Sequence, residues 1–209
     1  MARYTGSKCR LCRREGIKLF LKGQRCNTDK CSFTKRQIPP GMHTHLVSKK
    51  SYYALQLREK QKAKRIYGIL EKQFKRFFKM AEKSKGVTGR VLIQLLERRL
   101  DNVIYRANFA VSRVQARQFT RHGFVFIGNK RVNIPSYLVK EGEVIEFRAK
   151  DEFRKIINNI IESESKIRSV PKYLEVDNQN LKIKILRLPE KEDLNIAINE
   201  QLIVELYSK

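Results

Sequence analysis

Ser112-Arg113-Val114-Gln115-Ala116-Arg117-Gln118-Phe119-Thr120-Arg121-His122-Gly123-Phe124-Val125-Phe126-Ile127-Gly128-Asn129-Lys130-Arg131-Val132 switches from a helical to a strand period within one stretch. Ser112 offers an N-cap oxygen, and Gly123 falls just past the last helical residue, where a left-handed conformation ends a helix. Arg113, Arg117 and Arg121 recur at four-residue steps and read as one face, with Ala116, Phe119 and Thr120 turned into a core. Three guanidiniums one turn apart predict a phosphate-binding ridge, and substituting Arg113 and Arg117 together is expected to cost affinity for that phosphate partner with little effect on folding. Phe124 to Ile127 reads as a strand, Gly128-Asn129 as a tight hairpin turn, and Lys130-Arg131-Val132 as the returning strand. His122 reads as a C-terminal cap or phosphate contact rather than a metal ligand or catalytic base. The expected unit is a small α+β fold with helix ridge and hairpin tip on one positive edge.

Working outward, Val144, Ile145 and Phe147 suggest a further strand. Upstream, Thr88 can cap a helix whose buried face is Val91, Leu92, Leu95, Leu96, Leu100, Val103 and Ile104, and Asn108 ends it, since Asn tolerates the left-handed region. Before that lies a basic helical middle. After Pro39-Pro40-Gly41, Ser51 is placed to cap a helix in which Tyr52, Leu55, Ile66 and Ile69 alternate with Arg58, Lys60, Lys62, Lys64 and Arg65. Phe74, Phe77, Phe78 and Ala81 then form an apolar stripe among Lys72, Lys75, Arg76, Lys79 and Lys83, and Gly86 stops the helix. These aromatics read as core, because base-stacking aromatics sit on exposed strands or loops. Downstream, Phe153, Ile156, Ile157, Ile160 and Ile161 suit a helix packed on the sheet. Lys182 to Leu186 alternates like a half-buried strand, and Asn199 can cap a helix carrying Leu202, Ile203 and Leu206.

All 4 cysteines lie in the first 31 residues, as Cys9-x2-Cys12 and, after thirteen residues, Cys26-x4-Cys31. Two close pairs joined by a short loop suit four-sulfur coordination of Zn²⁺. Lys8, Arg10, Arg13, Arg14 and Arg25 are expected to depress the thiol pKa values, favour thiolate, and present a positive knob to phosphates. An iron–sulfur cluster uses the same ligands. Two disulfides would need an oxidising compartment, against which the absence of a signal-like segment argues. A metal here would be structural, ordering about forty residues too polar to fold alone.

The 209 residues hold 46 Lys and Arg against 21 Asp and Glu, a net charge of +25, with 41% hydrophobic residues and no Trp. Enough apolar material is present for one or two cores. The charge is uneven, being +12 over residues 1–60, +8 over 61–90, +6 over 91–150 and −1 over 151–209. Such a surplus repels itself unless a polyanion lies beside it, so nucleic acid is expected along the first 150 residues and protein packing beyond. No apolar run is long enough to span a bilayer, and no membrane partner is expected.

Glu97-Arg98-Arg99-Leu100-Asp101-Asn102-Val103, followed by Ser112-Arg113, Gln115-Ala116-Arg117-Gln118 and Arg121-His122-Gly123, resembles the RNA-binding S-four domain. Beyond it, Met1-Ala2-Arg3-Tyr4, Cys9-Arg10-Leu11-Cys12-Arg13-Arg14-Glu15-Gly16, Glu59-Lys60-Gln61-Lys62, Ile66-Tyr67-Gly68, Lys85-Gly86-Val87-Thr88-Gly89 and Asn199-Glu200-Gln201-Leu202-Ile203-Val204-Glu205 resemble the bacterial small-subunit ribosomal protein four family. The likeness runs essentially end to end. It implies a structural, cytoplasmic, ribosome-bound component of the small subunit. Such a component is a primary rRNA binder that nucleates assembly at a helix junction in the five-prime domain, near where mRNA enters and accuracy is set. It also implies ribosomal protein five as a neighbour and mRNA contact through the loop from Met42 to Lys50. The implied organisation is α+β: a four-cysteine metal-binding region at 1–45, a basic helical domain at 46–90 completed by a helix at about 197–209, and an RNA-binding α+β domain with packed C-terminal segment at 91–196. The residues expected on RNA are Arg3, Lys8, Arg10, Arg13, Arg14, Arg25, Lys49, Lys50, Lys62, Arg65, Lys72, Arg76, Arg113, Arg117, Arg121, His122, Lys130 and Arg131. The chain departs from the family's pattern at Gly128-Asn129, where Asn-Gly is usual, and at Asn108, Thr120 and Phe124, where Gly, an aliphatic and His are usual.

Other classes fit less well. Arg99-Leu100-Asp101 resembles the catalytic triplet of pseudouridine synthases, yet it also belongs to the first helix of the recognition domain, and a catalytic domain would need some hundred further residues. No phosphate-cradling glycine loop, nucleophile elbow or zinc-protease motif is present, so no catalytic residue is expected. A free-standing regulatory RNA binder would have little use for basic surface on every segment through residue 150. A DNA repressor would want a base-reading Asn beside the three arginines.

Overall fold

The computed structural model describes residues 3–42, 51–148, 150–193 and 198–208. Its helices in chain order are α1 (Lys8–Glu15), α2 (Ser32–Lys35), α3 (Tyr52–Ile66), α4 (Glu71–Glu82), α5 (Thr88–Glu97), α6 (Leu100–Arg106), α7 (Arg113–His122), α8 (Asp151–Ser165) and α9 (Glu200–Tyr207). The strands are β1 (Val125–Ile127), β2 (Lys130–Arg131), β3 (Val144–Phe147), β4 (Leu174–Asp177) and β5 (Lys182–Ile185). The chain forms two compact units, Met1–Leu92 with Ile196–Lys209, and Ile93–Asn195. Among the described residues, no helix is long and apolar enough to cross a membrane.

In the first unit, the Ser51 hydroxyl accepts from the Ala54 N–H at 3.2 Å and starts α3. The phenylalanine stripe of α4 is core, with Phe74, Phe77 and Phe78 all buried. Helix α9 begins at Asn199, whose side chain accepts from Gln201 and Leu202, and it packs along α3. Its Tyr207 ring stacks on Phe78 at 4.4 Å and lies 6.2 Å from Phe74. Glu71, at the first turn of α4, ties the three helices together. Its carboxylate takes Lys60 at 2.7 Å and Lys64 at 3.0 Å from α3, and accepts from the Tyr207 hydroxyl at 2.9 Å.

The second unit is a five-stranded antiparallel sheet, β2-β1-β3-β5-β4, covered on one face by helices. Val125, Ile145, Phe147, Ile183 and Ile185 face a core shared with Val103, Ile104, Phe109 and Phe119. Ile157 and Ile161 of α8 close it. Ser112 caps α7 through Gln115 N–H, and Gly123 ends it at φ +76°. Only Gly128 of the two turn residues has positive φ, at +58°, which is the pattern of a turn with glycine in the first central position rather than a type I′ turn. Asn108 does adopt the left-handed conformation, at φ +65°.

The helix read from Thr88 to Asn108 is instead two. Arg99 is extended and bridges Leu138, while the N–H groups of Leu100 and Asp101 donate to the carbonyls of Tyr137 and Pro135. Those hydrogen bonds to a strap well downstream replace helical ones, so the helix breaks between Glu97 and Leu100 although its apolar period runs straight through. Sequence reading passes over strand β4, although Leu174-Glu175-Val176-Asp177 alternates apolar and polar, and over the short helix α2 that follows Cys31.

Burial would raise the Glu71 carboxyl, but the Lys60 and Lys64 amines and the Tyr207 hydroxyl outweigh it and hold its pKa down at about 2, against the usual 4.5. Because the folded pKa is depressed, the stabilisation is complete above pH 4.5 and disappears as pH falls towards 2. Glu71→Gln is expected to lower the stability of the helical unit at pH 7 by about 1 kcal/mol or less, since Glu71 is half exposed and water screens the pairs. Its unfolding curve should converge on that of the parent across that acid window, as read by thermal melts followed by circular dichroism.

Candidate nucleic-acid interface

Helix α6 delivers Asp101 and Asn102 to the side of α7, and this decides which arginines remain outside. Arg99 is fully buried and grips Asp101 through Nε and Nη2 at 3.1 and 2.8 Å. Arg117 is buried against the same carboxylate at 3.7 Å. Arg113 is half-buried, donates to Asn102 Oδ1 at 2.8 Å and lies 4.4 Å over the Tyr105 ring. The three arginines of α7 therefore do not make one exposed ridge. Arg117 belongs to the interior, Arg113 is half used by it, and Arg121 projects from the last turn beside His122. Removing Arg113 and Arg117 together is for the same reason expected to disturb the fold as well as any contact with phosphates.

Asn102 also donates to buried Glu97 at 2.7 Å, and Arg106 binds Glu97 bidentately at 2.8 and 3.0 Å. Tyr173 donates its hydroxyl to Glu97, and burial followed by that carboxylate pushes its pKa well up. The Arg99-Leu100-Asp101 triplet is thus enclosed, with its carboxylate committed to two guanidiniums.

The outward edge of this unit combines Arg121, His122, Lys130 and Arg131, all exposed. Arg131 donates to the His122 carbonyl at 2.8 Å, which joins the hairpin to the end of α7. Sequence reading misses Arg148, which follows β3 and donates to Gly128 O at 3.3 Å and Glu146 at 3.0 Å while lying 4.7 Å over the Phe126 ring. It misses Lys150 as well, exposed just beyond Arg148. A strand alternation in which Phe126 and Arg148 both avoid the core face would have pointed to them.

In the other unit, Lys72 and Arg76 lie exposed on α4 beside Lys75 and Lys79. Arg65 pairs with Glu15, and Lys62 with Glu59, so these two are half-buried and engaged. Arg58 reaches the same Glu15 at 3.3 Å. Arg3, Arg10 and Arg25 are exposed. Arg13 and Arg14 donate to the carbonyls of Ile38, Pro39 and Pro40, and Lys8 to that of Tyr4. Lys49 and Lys50 lie outside the described residues.

The four cysteines form no disulfide, with Cys12, Cys26 and Cys31 buried and Cys9 partly so. Burial pushes the Cys12 and Cys26 thiols up, opposite to the depression expected from neighbouring cations. Cys31 is lowered: burial opposes this, but the backbone N–H groups of Thr34 and Phe33 at the start of α2 outweigh it, and Lys18 adds to them. Among the described residues, no three His, Cys, Asp or Glu side chains are gathered closely enough to grip one ion.

Two family models match in succession, the ribosomal protein S4/S9 N-terminal domain over residues 3–97 and the S4 domain over 98–145. The small ribosomal subunit protein uS4 of Thermodesulfovibrio yellowstonii is 56% identical over 209 residues, covering all of both chains. The chain belongs to the ribosomal protein S4 family. Protein uS4A of Symbiobacterium thermophilum, 53% identical over 209 residues, and uS4 of Dictyoglomus turgidum, 53% over 214, also align over their full lengths. The S4-domain match covers α6, α7, the hairpin and the start of β3, so the exposed edge described above lies on the part of the chain that carries that domain.

Asp101→Asn is expected to destabilise the second unit by about 3–5 kcal/mol, because it strands two buried guanidiniums. Arg121→Ala should change stability by less than about 0.5 kcal/mol. Urea unfolding of both variants checks the assignment, and equal effects would refute it.

Proposed function

We propose that this chain is a structural component of the small ribosomal subunit that binds small-subunit rRNA early and nucleates assembly in the five-prime domain, near where mRNA enters and accuracy is set. What carries this reading is the pattern of cations left outside after the buried carboxylates have taken their share. Arg3, Arg10, Arg14, Arg25, Lys72 and Arg76 remain exposed on one unit and Arg121, His122, Lys130 and Arg131 on the other. These groups can neutralise phosphates where RNA helices crowd together, and such contacts position RNA without reading sequence. Half-buried Lys8, Arg13, Lys62, Arg65 and Arg113 contribute their field and steady their neighbours, and Arg117 acts only through the fold. Family membership supports rRNA and ribosomal proteins as partners, with protein five the proposed neighbour and incoming mRNA a further contact through the segment holding Lys49 and Lys50. The protein then resides in the cytoplasm on the ribosome.

Binding of a small-subunit five-prime-domain transcript should weaken steeply with salt. Arg121→Ala with Lys130→Ala is expected to flatten the plot of log K against log salt by about two units, one for each phosphate no longer neutralised. An unchanged slope would remove this edge from the interface.

We further propose that Cys9, Cys12, Cys26 and Cys31 hold a structural Zn²⁺. The all-thiol donor set fits zinc and three of the four thiols are buried, and because no three of them are gathered round one point, binding would have to draw them together. The ion would cross-link α1 to the turns that follow it. Elemental analysis should find one zinc per chain, and chelation should disorder residues 1–31 while α7 stays folded by hydrogen exchange. Iron with sulfide, or no metal in freshly purified protein, would overturn this.

A further inference from the structure

The end of α7 and the first two strands border a shallow, open cleft of about 530 Å³ lined by His122, Phe124, Phe126, Arg131, Arg148 and Lys150. Its walls divide by chemistry. Phe124 stacks on Phe153 at 4.1 Å, which fixes the ring, and the His122 ring lies 6.1 Å from it. Phe126 is on β1 in the register row Arg131, Phe126, Glu146, Lys182, on the face of the sheet away from the core. Two of the cations are held in place. Arg131 lies flat against Gly123, where any Cβ would collide with its guanidinium, and is tied to the His122 carbonyl. Arg148 is fixed over Phe126 by Gly128 O, by Asn129 Oδ1 at 3.5 Å and by Glu146, and a second cation, Lys182, offsets the Glu146 charge at 3.0 Å.

A surface of held guanidinium and imidazole planes beside further cations matches one chemical object well: a nucleotide whose base is unpaired, its ring against the Arg148 plane that covers Phe126 or against His122, and its phosphates on Arg131 and Lys150. A base inside a duplex presents only its edges and could not lay its ring face on that plane. We infer that this cleft captures a single unstacked nucleotide of the bound RNA, so that the edge holds a looped or bulged residue as well as duplex phosphates. Arg121 and Lys130, exposed and next in the chain to His122 and Arg131, extend the positive charge beyond one phosphate, which favours a nucleotide within a chain over a free one. The inference deepens the RNA-binding reading and rests on it.

The test uses the full-length protein and a single-stranded hexaribonucleotide carrying one 2-aminopurine, whose fluorescence falls when the base stacks. The parent should quench it saturably. Phe126→Leu, which keeps a strand-compatible apolar residue, and Arg148→Gln, at an exposed position, should each weaken that binding about fivefold or more. Both should retain the parent's melting temperature, so that the loss reports the cleft and not the fold. Quenching unaltered in both variants, or displaced by micromolar adenosine monophosphate, would overturn the proposal. So would a parent that binds the transcript but leaves the probe unquenched, in which case the cleft fails and the wider reading stands. A parent that binds neither RNA would overturn both.

Discussion

A chain with a net charge of +25 can close a core only where its own few carboxylates gather the cations that must come inside. In this protein they work by sharing. Glu15, almost fully enclosed, holds Arg58 and Arg65; Glu71 holds Lys60 and Lys64; Asp101 holds Arg99 and Arg117. Glu97 takes Arg106 together with the amide of Asn102 and the hydroxyl of Tyr173, and Glu164 takes Arg168, whose remaining donors go to the carbonyls of Tyr105 and Ala110. A buried guanidinium without such a partner would cost several kcal/mol, so each of these acids sets the place of an element. The surplus is then sorted: what the acids hold is architecture, and what they leave faces the polyanion.

This sorting explains why spacing alone misassigns the middle of α7. Four-residue steps advance about 40° round a helix, so Arg113, Arg117 and Arg121 span roughly 80° of its surface. That arc is wide enough for its centre to meet Asp101 while its end reaches solvent. No property of the α7 sequence tells which arginine meets a carboxylate, because the carboxylate belongs to α6 and arrives by tertiary packing. The break between α5 and α6 has the same origin, a backbone pairing with Leu138 and its neighbours that no local period reports.

Where the determinants are local, the sequence is legible. Ser51, Ser112 and Asn199 cap the helices expected of them, Gly123 ends α7, and the stripe of Phe74, Phe77 and Phe78 is buried. These readings depend on hydrogen bonds and burial within one or two turns. The exposed edge is half legible: Arg121, Lys130 and Arg131 lie together, but Arg148 joins them only because β3 runs antiparallel beside β1 and brings a residue from far along the chain to the hairpin turn. The thiols defeat sequence reading in a related way. Nearby cations in sequence suggest thiolates, whereas burial dominates at Cys12 and Cys26, and at Cys31 backbone N–H groups outweigh it.

Connectivity adds a constraint of its own. The first unit uses residues on both sides of the second, and α9 supplies three things that α3 and α4 lack: the Tyr207 ring over Phe78, the Tyr207 hydroxyl on Glu71, and Glu205 for Tyr52 and Gln56. Until residues 200–207 have been made, the Phe78 ring lacks its cover, and buried Gln56 lacks the Glu205 carboxylate. The second unit has no such dependence, since every strand and every buried pair described for it lies between residues 93 and 195. Its core can therefore form while the first unit is still incomplete, and the part of the chain carrying the hairpin edge is ready before the helices that flank it in sequence have closed.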